Sequence, residues 1–330
     1  MKYRVTMLLF FVAAVSGLGR MEGQVNWTPR TPFGRCCMGM AFHPSDDPTR
    51  SGMLLFGGFD SATGQYFGDT WIRRLGAWAL LTPSNAPASR QGPGMAYDGA
   101  TGTIVLFGGT AANGSDLNDT WIWDGSAWTQ VVPPTSPPGR RFDTQGMAYD
   151  ATTQSVVMFG GYSNATNTVF GDTWTWNGRT KSWTQQNPLS SPSPRRAPIA
   201  YDGARGQVVL FGGDDPSVGT IFPDTWTWNG TTWKQQSPVV SPSQRGLASL
   251  AYDASLAKVL LFGGFIPGFC PNDTWAWDGS GWSAVSTVRA PVGRFAFGMA
   301  SNPATNGVVL FGGFGCGYTL GDTWAVSPGD

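Results

Sequence analysis

Short hydrophobic runs that end in Phe-Gly-Gly recur along the chain at a nearly constant spacing. The phenylalanines that open these tripeptides are Phe56, Phe107, Phe159, Phe211, Phe262 and Phe311, so successive units lie 51, 52, 52, 51 and 49 positions apart. Each run is followed by Asp-Thr-Trp, which begins at Asp69, Asp119, Asp172, Asp224, Asp273 and Asp322. A fixed period near fifty residues indicates a repeat architecture, in which each unit stacks on its neighbours.

The second unit, residues 90–134, illustrates the strand pattern within a repeat. Residues 94–97 form a short first strand, and the β-branched and aromatic run 103–107 predicts a buried second strand. In residues 119–123 the two tryptophans lie on one face of a third strand. An Asp-Gly pair then predicts a hairpin turn into a fourth strand at residues 128–131. Each unit is therefore predicted to be a four-stranded antiparallel meander.

Six such meanders arranged radially predict an all-β fold, a six-bladed β-propeller with four antiparallel strands per blade. One blade alone buries too little apolar surface, so stability comes from packing blade on blade. The sixth unit stops at its third strand, near residues 324–326, whereas residues 26–29 match residues 127–130 and 182–185 of complete units. We therefore expect the segment near Val25 to Thr28 to complete the last blade and close the ring.

The first residues of the chain have the features of a secretory signal. Lys2 and Arg4 precede an apolar run, 7–15, which is followed by small residues. This run is too short to span a bilayer, so we expect residues 1–22 to be a signal peptide and residues 24–330 to be a single exported domain. The mature protein is then expected outside the cell, on its surface or in a periplasm, as a monomer without a transmembrane segment.

The charge of the chain narrows the range of partners and reactions. The formal net charge is zero, so no global basic field attracts nucleic acid. His43 is the only histidine and Glu22 the only glutamate, and Glu22 lies in the signal region. Carboxylate chemistry would therefore rest on aspartates, most of which recur with the repeat. We assign no catalytic residue, no metal ligand and no cofactor, and the sequence favours a role without catalysis.

The units resemble kelch repeats. A kelch unit has an arginine before its first strand, a double glycine after its second and a tryptophan that opens its fourth, here Arg90, Gly108-Gly109 and Trp128. The resemblance covers residues 24–326, and the Asp-Thr-Trp phrasing is similar to exported bacterial kelch proteins of the galactose-oxidase-like central-domain superfamily. The copper site of galactose oxidase needs two histidines, which this chain lacks.

The resemblance implies a binding or scaffolding module for protein or carbohydrate ligands. One alternative is a sugar-modifying enzyme of the kelch mutarotase type, without copper. Another alternative is a structural surface or matrix component. Because propellers host both binders and enzymes, the fold alone does not choose among these functions.

Arginines before each first strand are the first candidate ligand contacts. The resemblance places them at one face, near the mouth of the central channel and beside the loops that follow the Gly-Gly pairs. There they could clamp carboxylates or sulfates, or each could brace the aspartate that opens its own third strand. The arginines are Arg35, Arg90, Arg140 or Arg141, Arg195 or Arg196, Arg245 and Arg294. The candidates retained for ligand binding are Arg35, Arg90, Arg141, Arg196, Arg245 and Arg294.

Aspartates and aromatic residues outside the repeat pattern add to this face. Asp143 follows a double arginine, and Asp214 and Asp215 directly follow a Gly-Gly pair, so all three are candidates to bind a ligand. Aromatic residues in the same loops suit stacking on a carbohydrate or peptide, or packing of the loops on the blades. They are Phe59, Tyr66, Phe67, Tyr162, Phe265, Phe269, Phe314 and Tyr318.

Four cysteines lie in units that are contiguous around the predicted ring. By repeat alignment Cys36 and Cys37 begin a first strand, and Cys270 and Cys316 lie in loops after Gly-Gly pairs. All four therefore belong to one face, in the first, fifth and sixth units. Disulfides across the ring seam are expected in an oxidising compartment, although three pairings are possible and a thiolate metal site is the alternative.

Overall fold

The computed structural model describes residues 31–326, which form a six-bladed β-propeller without helices in that range. The first blade contains β1 (Gly39–His43), β2 (Gly52–Phe56), the short hairpin β3 (Phe59–Asp60) and β4 (Gln65–Tyr66), then β5 (Thr70–Arg74) and β6 (Ala77–Leu81). The second contains β7 (Arg90–Gln91), β8 (Gly94–Asp98), β9 (Thr103–Phe107), β10 (Thr110–Ala111), β11 (Thr120–Trp123) and β12 (Trp128–Val131).

The third blade contains β13 (Met147–Asp150), β14 (Ser155–Ser163), β15 (Thr168–Asn177) and β16 (Ser182–Gln186). The fourth contains β17 (Ile199–Asp202), β18 (Gln207–Phe211), β19 (Asp214–Asp215), β20 (Thr220–Ile221), β21 (Thr225–Trp228) and β22 (Trp233–Gln236). The fifth contains β23 (Ser249–Asp253), β24 (Lys258–Phe262), β25 (Thr274–Trp277) and β26 (Trp282–Val285), and the sixth contains β27 (Gly298–Asn302), β28 (Gly307–Phe314) and β29 (Thr319–Val326).

The blades are antiparallel sheets, and their first strands surround the central channel. Five blades have four main strands in the order expected of a meander, and the sixth shows three within residues 31–326. First strands of neighbouring blades contact one another, including β1 and β27, so the ring is closed. The segment predicted to supply a further strand, Val25 to Thr28, lies outside the described residues, as does the predicted signal peptide.

Each fourth-strand tryptophan ties its blade to the preceding one. Trp128, for example, packs edge-to-face on Phe56 at 5.4 Å between ring centroids and donates its indole N–H to the hydroxyl of Thr70 at 3.0 Å. The same bond joins Trp78 to Thr323, Trp183 to Thr120, Trp233 to Thr173, and Trp282 to Thr225. Because the donor and acceptor recur in the repeat, one sequence pattern builds five of the six joints between blades.

The Gly-Gly pairs allow the blades to approach closely at the face that carries the arginines, which we call the upper face. The second glycine of each pair donates its N–H to the carbonyl of the arginine in the next blade, as Gly109 does to Arg140 at 2.8 Å. The first glycine has a positive φ, +68° at Gly108, and a Cβ there would lie 2.6 Å from the carbonyl oxygen of Arg140. Glycine is required because a larger residue would separate the blades.

An insertion in the third blade crosses the channel. Seven positions separate Arg140 from Met147, against five between Arg90 and Met95. In the longer segment the Thr144 hydroxyl donates to the carbonyl of Ala248 in the fifth blade. The carbonyl of Gln145 accepts from the N–H of Ile199 in the fourth blade at 2.7 Å. This segment, residues 143–146, is the channel plug. It separates the upper mouth of the channel from the lower part.

Candidate functional site

Six arginines, one per blade, are braces. The guanidinium of Arg90 donates from Nη1 to Asp119 Oδ1 at 2.6 Å and from Nη2 to Asp119 Oδ2 at 2.8 Å, and it also bonds the carbonyl of Gly108. The same pattern joins Arg35 to Asp69, Arg140 to Asp172, Arg195 to Asp224, Arg245 to Asp273, and Arg294 to Asp322. The structure thus assigns the braces in the two doublets to Arg140 and Arg195.

The brace interpretation accounts for four of the six candidate ligand-binding arginines. Arg35, Arg90, Arg245 and Arg294 are buried, and their guanidinium donors bond within their own blades. They therefore present no free donor edge to a ligand, because a carboxylate already occupies both Nη atoms. Only Arg141 and Arg196 among the candidates stand outside a brace.

In three blades, the apolar side chain two positions before the bracing aspartate covers the guanidinium of the bracing arginine. Phe67 lies 3.7 Å from the Arg35 guanidinium carbon, Phe170 lies 3.9 Å from that of Arg140, and Phe222 covers Arg195. Stacking on a ligand and packing on the blade were both considered for Phe67, and its burial over the Arg35 brace favours packing. The recurrence of an apolar residue at this position was the signal in the sequence that could have revealed this role.

Charged residues converge at the upper mouth of the channel, next to the plug. We call Arg141, Asp143, Arg196 and Asp214 the mouth cluster. Arg196 Nη1 lies 2.5 Å from Asp143 Oδ2, and its Nη2 lies 2.6 Å from Asp214 Oδ2. Arg141 Nε lies 3.1 Å from the same Asp143 oxygen. Two cations and two carboxylates from the third and fourth blades thus form one network.

Backbone bonds set the positions of the two arginines in this cluster. Each follows a bracing arginine, and its N–H and C=O both pair with a residue after the Gly-Gly pair. Arg141 pairs with Tyr162 at 2.9 Å in both directions, and Arg196 pairs with Asp214 at 2.9 and 3.0 Å. The six residues at this repeat position are Cys36, Gln91, Arg141, Arg196, Gly246 and Phe295. Only the third and fourth blades place a charge there.

Burial differs within the mouth cluster. Arg196 is 7% exposed and Asp143 4% exposed, whereas the Arg141 side chain is 19% exposed. Buried atoms Asp143 Oδ1, Asp214 Oδ1 and Arg196 Nε have no hydrogen-bond partner among the described residues. Buried polar atoms are rarely left unpaired in proteins, so these three atoms are the unsatisfied part of the network beside the partly exposed Arg141.

Electrostatics distinguishes the members of the cluster. Burial alone would lower the pKa of Arg196, but the charges of Asp143 and Asp214 outweigh it and hold that pKa above its usual value. Burial raises the pKa of Asp214 above the ordinary value, because the opposing effect of Arg196 is smaller and the charge of Asp143 adds to the rise. Arg196 is therefore a fixed cation, and burial favours the protonated form of Asp214.

Asp143 has a backbone conformation that few residues adopt. Its φ is +59°, in the left-handed region that favours glycine and that aspartate tolerates better than most residues. The same left-handed conformation recurs before the first strand of other blades, at Cys37, Leu247 and Ala296, so it belongs to the repeat. The plug begins at this residue, so its conformation sets both the closure of the channel and the direction of the carboxylate.

Asp215 does not belong to the cluster. Its Oδ1 accepts from the N–H of Ser217 at 2.9 Å and from the Ser217 hydroxyl at 2.6 Å, in the exposed turn of the β19–β20 hairpin. The Asp215 side chain stabilises this turn, whereas the preceding residue, Asp214, contacts Arg196 in the mouth cluster. Within residues 31–326 no group of three or more His, Cys, Asp or Glu side chains is arranged to hold a metal ion.

The cysteines form one disulfide and one thiol pair. Cys270 and Cys316 are bonded across the joint between the fifth and sixth blades, with Cα atoms 6.0 Å apart. Cys36 and Cys37 are free thiols with sulfur atoms 3.1 Å apart, although disulfides were expected for them as well. The hydrogen bond with Cys36 and burial raise the pKa of Cys37. The charge of Asp143 adds to this rise in the pKa, because the thiol pair lies beside the mouth cluster.

Aromatic side chains surround the mouth at different depths. Tyr162 lies between the mouth arginines, 5.7 Å from the Arg141 guanidinium carbon and 5.8 Å from that of Arg196. Phe59 packs on Tyr66 in the first blade, and Phe295 packs between Phe265 and Phe314 at the joint of the fifth and sixth blades. Phe269 and Tyr318 are largely exposed.

Fold and brace pattern together define a kelch-type β-propeller. A family model described as the KLHDC2/KLHL20/DRC7 Kelch-repeats domain matches residues 23–213 and 146–330, so the chain belongs to this kelch-repeat family. A comparison with curated proteins finds no match. Among residues 31–326, no helix is long and apolar enough to cross a membrane.

Proposed function

We propose that the protein is an exported binding module whose upper face holds a segment of another protein at the mouth cluster. Kelch propellers commonly serve as protein-binding scaffolds, and this chain has that fold. The observation that carries the proposal is the set of buried, unpartnered atoms on Asp143, Asp214 and Arg196 beside the partly exposed Arg141. The other candidate charged residues on this face are braces or, in the case of Asp215, part of a turn.

The cluster combines two kinds of recognition. Arg141 offers a guanidinium to a carboxylate, a geometry that permits two parallel hydrogen bonds. Asp143 Oδ1 and Asp214 Oδ1 are acceptors without a partner among the described residues, and Arg196 fixes the other oxygen of each. Because both atoms are buried, N–H or O–H donors of a ligand reach them only as the Arg141 side chain turns outward toward the ligand's carboxylate. The ligand therefore needs an acidic group close to hydrogen-bond donors. A peptide with an acidic side chain beside free backbone N–H groups meets this need.

Rigidity of the site supports specific binding. Arg196 is buried, and the plug beneath Asp143 bonds to the fourth and fifth blades. A ligand that docks there does not have to order the side chains that receive it, which reduces the entropic cost of binding. Tyr162 provides a flat aromatic surface beside Arg141 for an adjacent apolar part of the ligand.

The proposal is tested with the mature protein on an array of peptides that differ only in acidic, neutral or basic side chains, alongside a glycan array. We expect acidic peptides to bind, and Arg141→Ala to weaken that binding at least tenfold. Arg179→Ala is the matched control, because Arg179 is exposed on the turn between β15 and β16, outside the mouth cluster. Equal binding by the Arg141→Ala variant and the wild type would refute the site.

Other outcomes select the alternative functions. Binding of acidic glycans without peptides, lost in Arg141→Ala, would assign the site to a carbohydrate. Turnover of a reducing sugar would favour the enzyme of mutarotase type, and neither binding nor turnover would favour a structural surface component. Export is tested separately by N-terminal sequencing of the secreted protein, where a start between residues 17 and 24 is expected and an intact Met1 would refute it.

A further inference from the structure

A second cavity lies below the plug, in the lower part of the central channel. Its volume is about 260 Å³, and the first strands of all six blades line it. The plug residue Gln145 forms its upper end, so the cavity is separate from the mouth cluster and opens at the lower face. We call it the channel pocket.

The wall of the channel pocket is made of small apolar residues. At one position in each first strand the chain has alanine, and all six residues line the pocket while they also pack in the core clusters between neighbouring blades. They are Ala41, Ala96, Ala148, Ala200, Ala251 and Ala300. A methyl group at each of these positions leaves the centre of the channel open, where six larger side chains would fill it.

Aromatic side chains form a collar at the opening. The residue after each alanine is Phe42, Tyr97, Tyr149, Tyr201, Tyr252 or Ser301, and all of these line the pocket. Burial raises the pKa of Tyr97, Tyr149 and Tyr252, so these hydroxyls stay neutral at physiological pH. The sixth position, Ser301, interrupts the collar with a small side chain and widens the opening on that side.

The closed end of the pocket has one polar side chain. Gln145 Nε2 makes a long bond of 3.4 Å to the carbonyl of Met95, which leaves the amide able to bond a second group. Of residues 31–326, none with a charged side chain lines the pocket. Its chemistry is thus an amide at the closed end, an apolar ring in the middle and aromatic rings at the opening.

The geometry points to a binding site for a small, neutral aromatic molecule that carries one polar group. The polar group reaches the Gln145 amide, the ring occupies the space inside the six alanines, and the collar contacts its outer edge. An apolar cavity of about 150 Å³ is enough to bind benzene, so this pocket accommodates a two-ring molecule such as indole. A charged ligand would lose its hydration without gaining a partner.

Indole is the probe that tests this inference, by calorimetric titration and by ligand-observed NMR on the mature protein. We expect saturable binding of one indole per chain, and little binding of indole-3-acetate, which adds a charge. Ala251→Leu places a larger side chain in the alanine ring, and we expect it to weaken indole binding at least tenfold. Ala79→Leu is the matched control, because Ala79 is exposed on β6.

A second variant covers the case in which Ala251→Leu disturbs the fold. Ser301→Tyr completes the collar at the opening without changing the alanine ring, and we expect it to slow or abolish indole binding. Absence of saturable binding to the wild type at millimolar indole would overturn the inference and leave a channel filled by water. Unchanged affinity in a folded Ala251→Leu variant would overturn it as well, by placing the indole elsewhere.

Discussion

Trp183 of the third blade donates its indole N–H to the hydroxyl of Thr120 in the second blade, at 3.0 Å, and both residues are buried. The ring of Trp183 also packs edge-to-face on Phe107 of the same neighbouring blade. One side chain therefore provides both the hydrogen bond and the apolar contact at a joint between blades. Packing between blades is what stabilises a repeat architecture.

Removing this bond should destabilise the propeller. Trp183→Phe keeps an aromatic ring but leaves the buried Thr120 hydroxyl without its donor, at an expected cost of about 1–3 kcal/mol in the free energy of unfolding. Urea unfolding of the variant and the wild type measures this loss in the free energy of unfolding. Thr120→Val added to Trp183→Phe should cost less than the sum of the single changes, because both polar partners are then absent. Strict additivity would show that the two residues do not interact.

The propeller and its braces were predictable from the sequence because they recur. Periodicity gave the blade count, and the pairing of Arg90 with Asp119 was one of two interpretations weighed for every repeat. The doublets were different. Arg140 and Arg141 are adjacent and of the same residue type, so the sequence could not show which of them braces the aspartate. Backbone bonds decide between them: the N–H of Arg140 bonds Leu117 of the second blade, which directs its side chain toward Asp172.

Features that depend on contacts between distant blades could not be read from the repeat. The extra residues before Met147 were visible, but the direction of the plug depends on the carbonyl of Ala248, which lies 104 positions away. The same holds for the mouth cluster, where Arg196 bonds Asp143 across 53 positions. The Cys270–Cys316 pairing likewise depends on which loops meet at the joint of the fifth and sixth blades.

Acid should weaken the braces. Burial would raise the pKa of Asp119, but hydrogen bonds and charge from Arg90 outweigh it, and the pKa lies below the ordinary value of about 3.9. A carboxyl whose pKa is depressed by folding contributes stability above its unfolded pKa, and this is lost as the pH falls through the folded pKa. Asp119→Asn should cost about 3–5 kcal/mol at pH 7, and the difference from wild type should narrow below pH 4. A constant difference from pH 7 to pH 3 would contradict this assignment.

Arg196 and Arg141 should differ in their effect on stability. Arg196→Met leaves Asp143 and Asp214 buried without their shared cation, at an expected cost of about 3–5 kcal/mol. Arg141 is partly exposed, so Arg141→Met should cost about 1 kcal/mol or less. The loss in Arg196→Met should shrink as the pH falls, because protonation removes the uncompensated charges. Equal losses in the two variants, measured by urea unfolding at pH 7 and pH 5, would contradict the division of roles.

The cysteines should titrate as two free thiols per chain. Alkylation in denaturant without a reductant should label Cys36 and Cys37 and leave the Cys270–Cys316 disulfide intact, as mass spectrometry of peptides would show. Cys270→Ser should lower the free energy of unfolding by about 2–4 kcal/mol, since it opens a link between blades. Cys36→Ser is the control without a lost disulfide, and labelling of all four cysteines would contradict the link.

Residues near Trp27 should complete the sixth blade, because the sequence assigns them to its fourth strand. At five joints a fourth-strand tryptophan bonds a threonine of the preceding blade, and Thr274 of the fifth blade is the threonine at the corresponding position of the sixth joint. Thr274, Phe262 and Trp324 line a groove of about 690 Å³ between the fifth and sixth blades. Trp27→Ala should then cost about as much as Trp183→Ala, roughly 3–5 kcal/mol, and deletion of residues 24–29 should cost more. An unchanged thermal midpoint after that deletion would show that the ring is not closed by this segment.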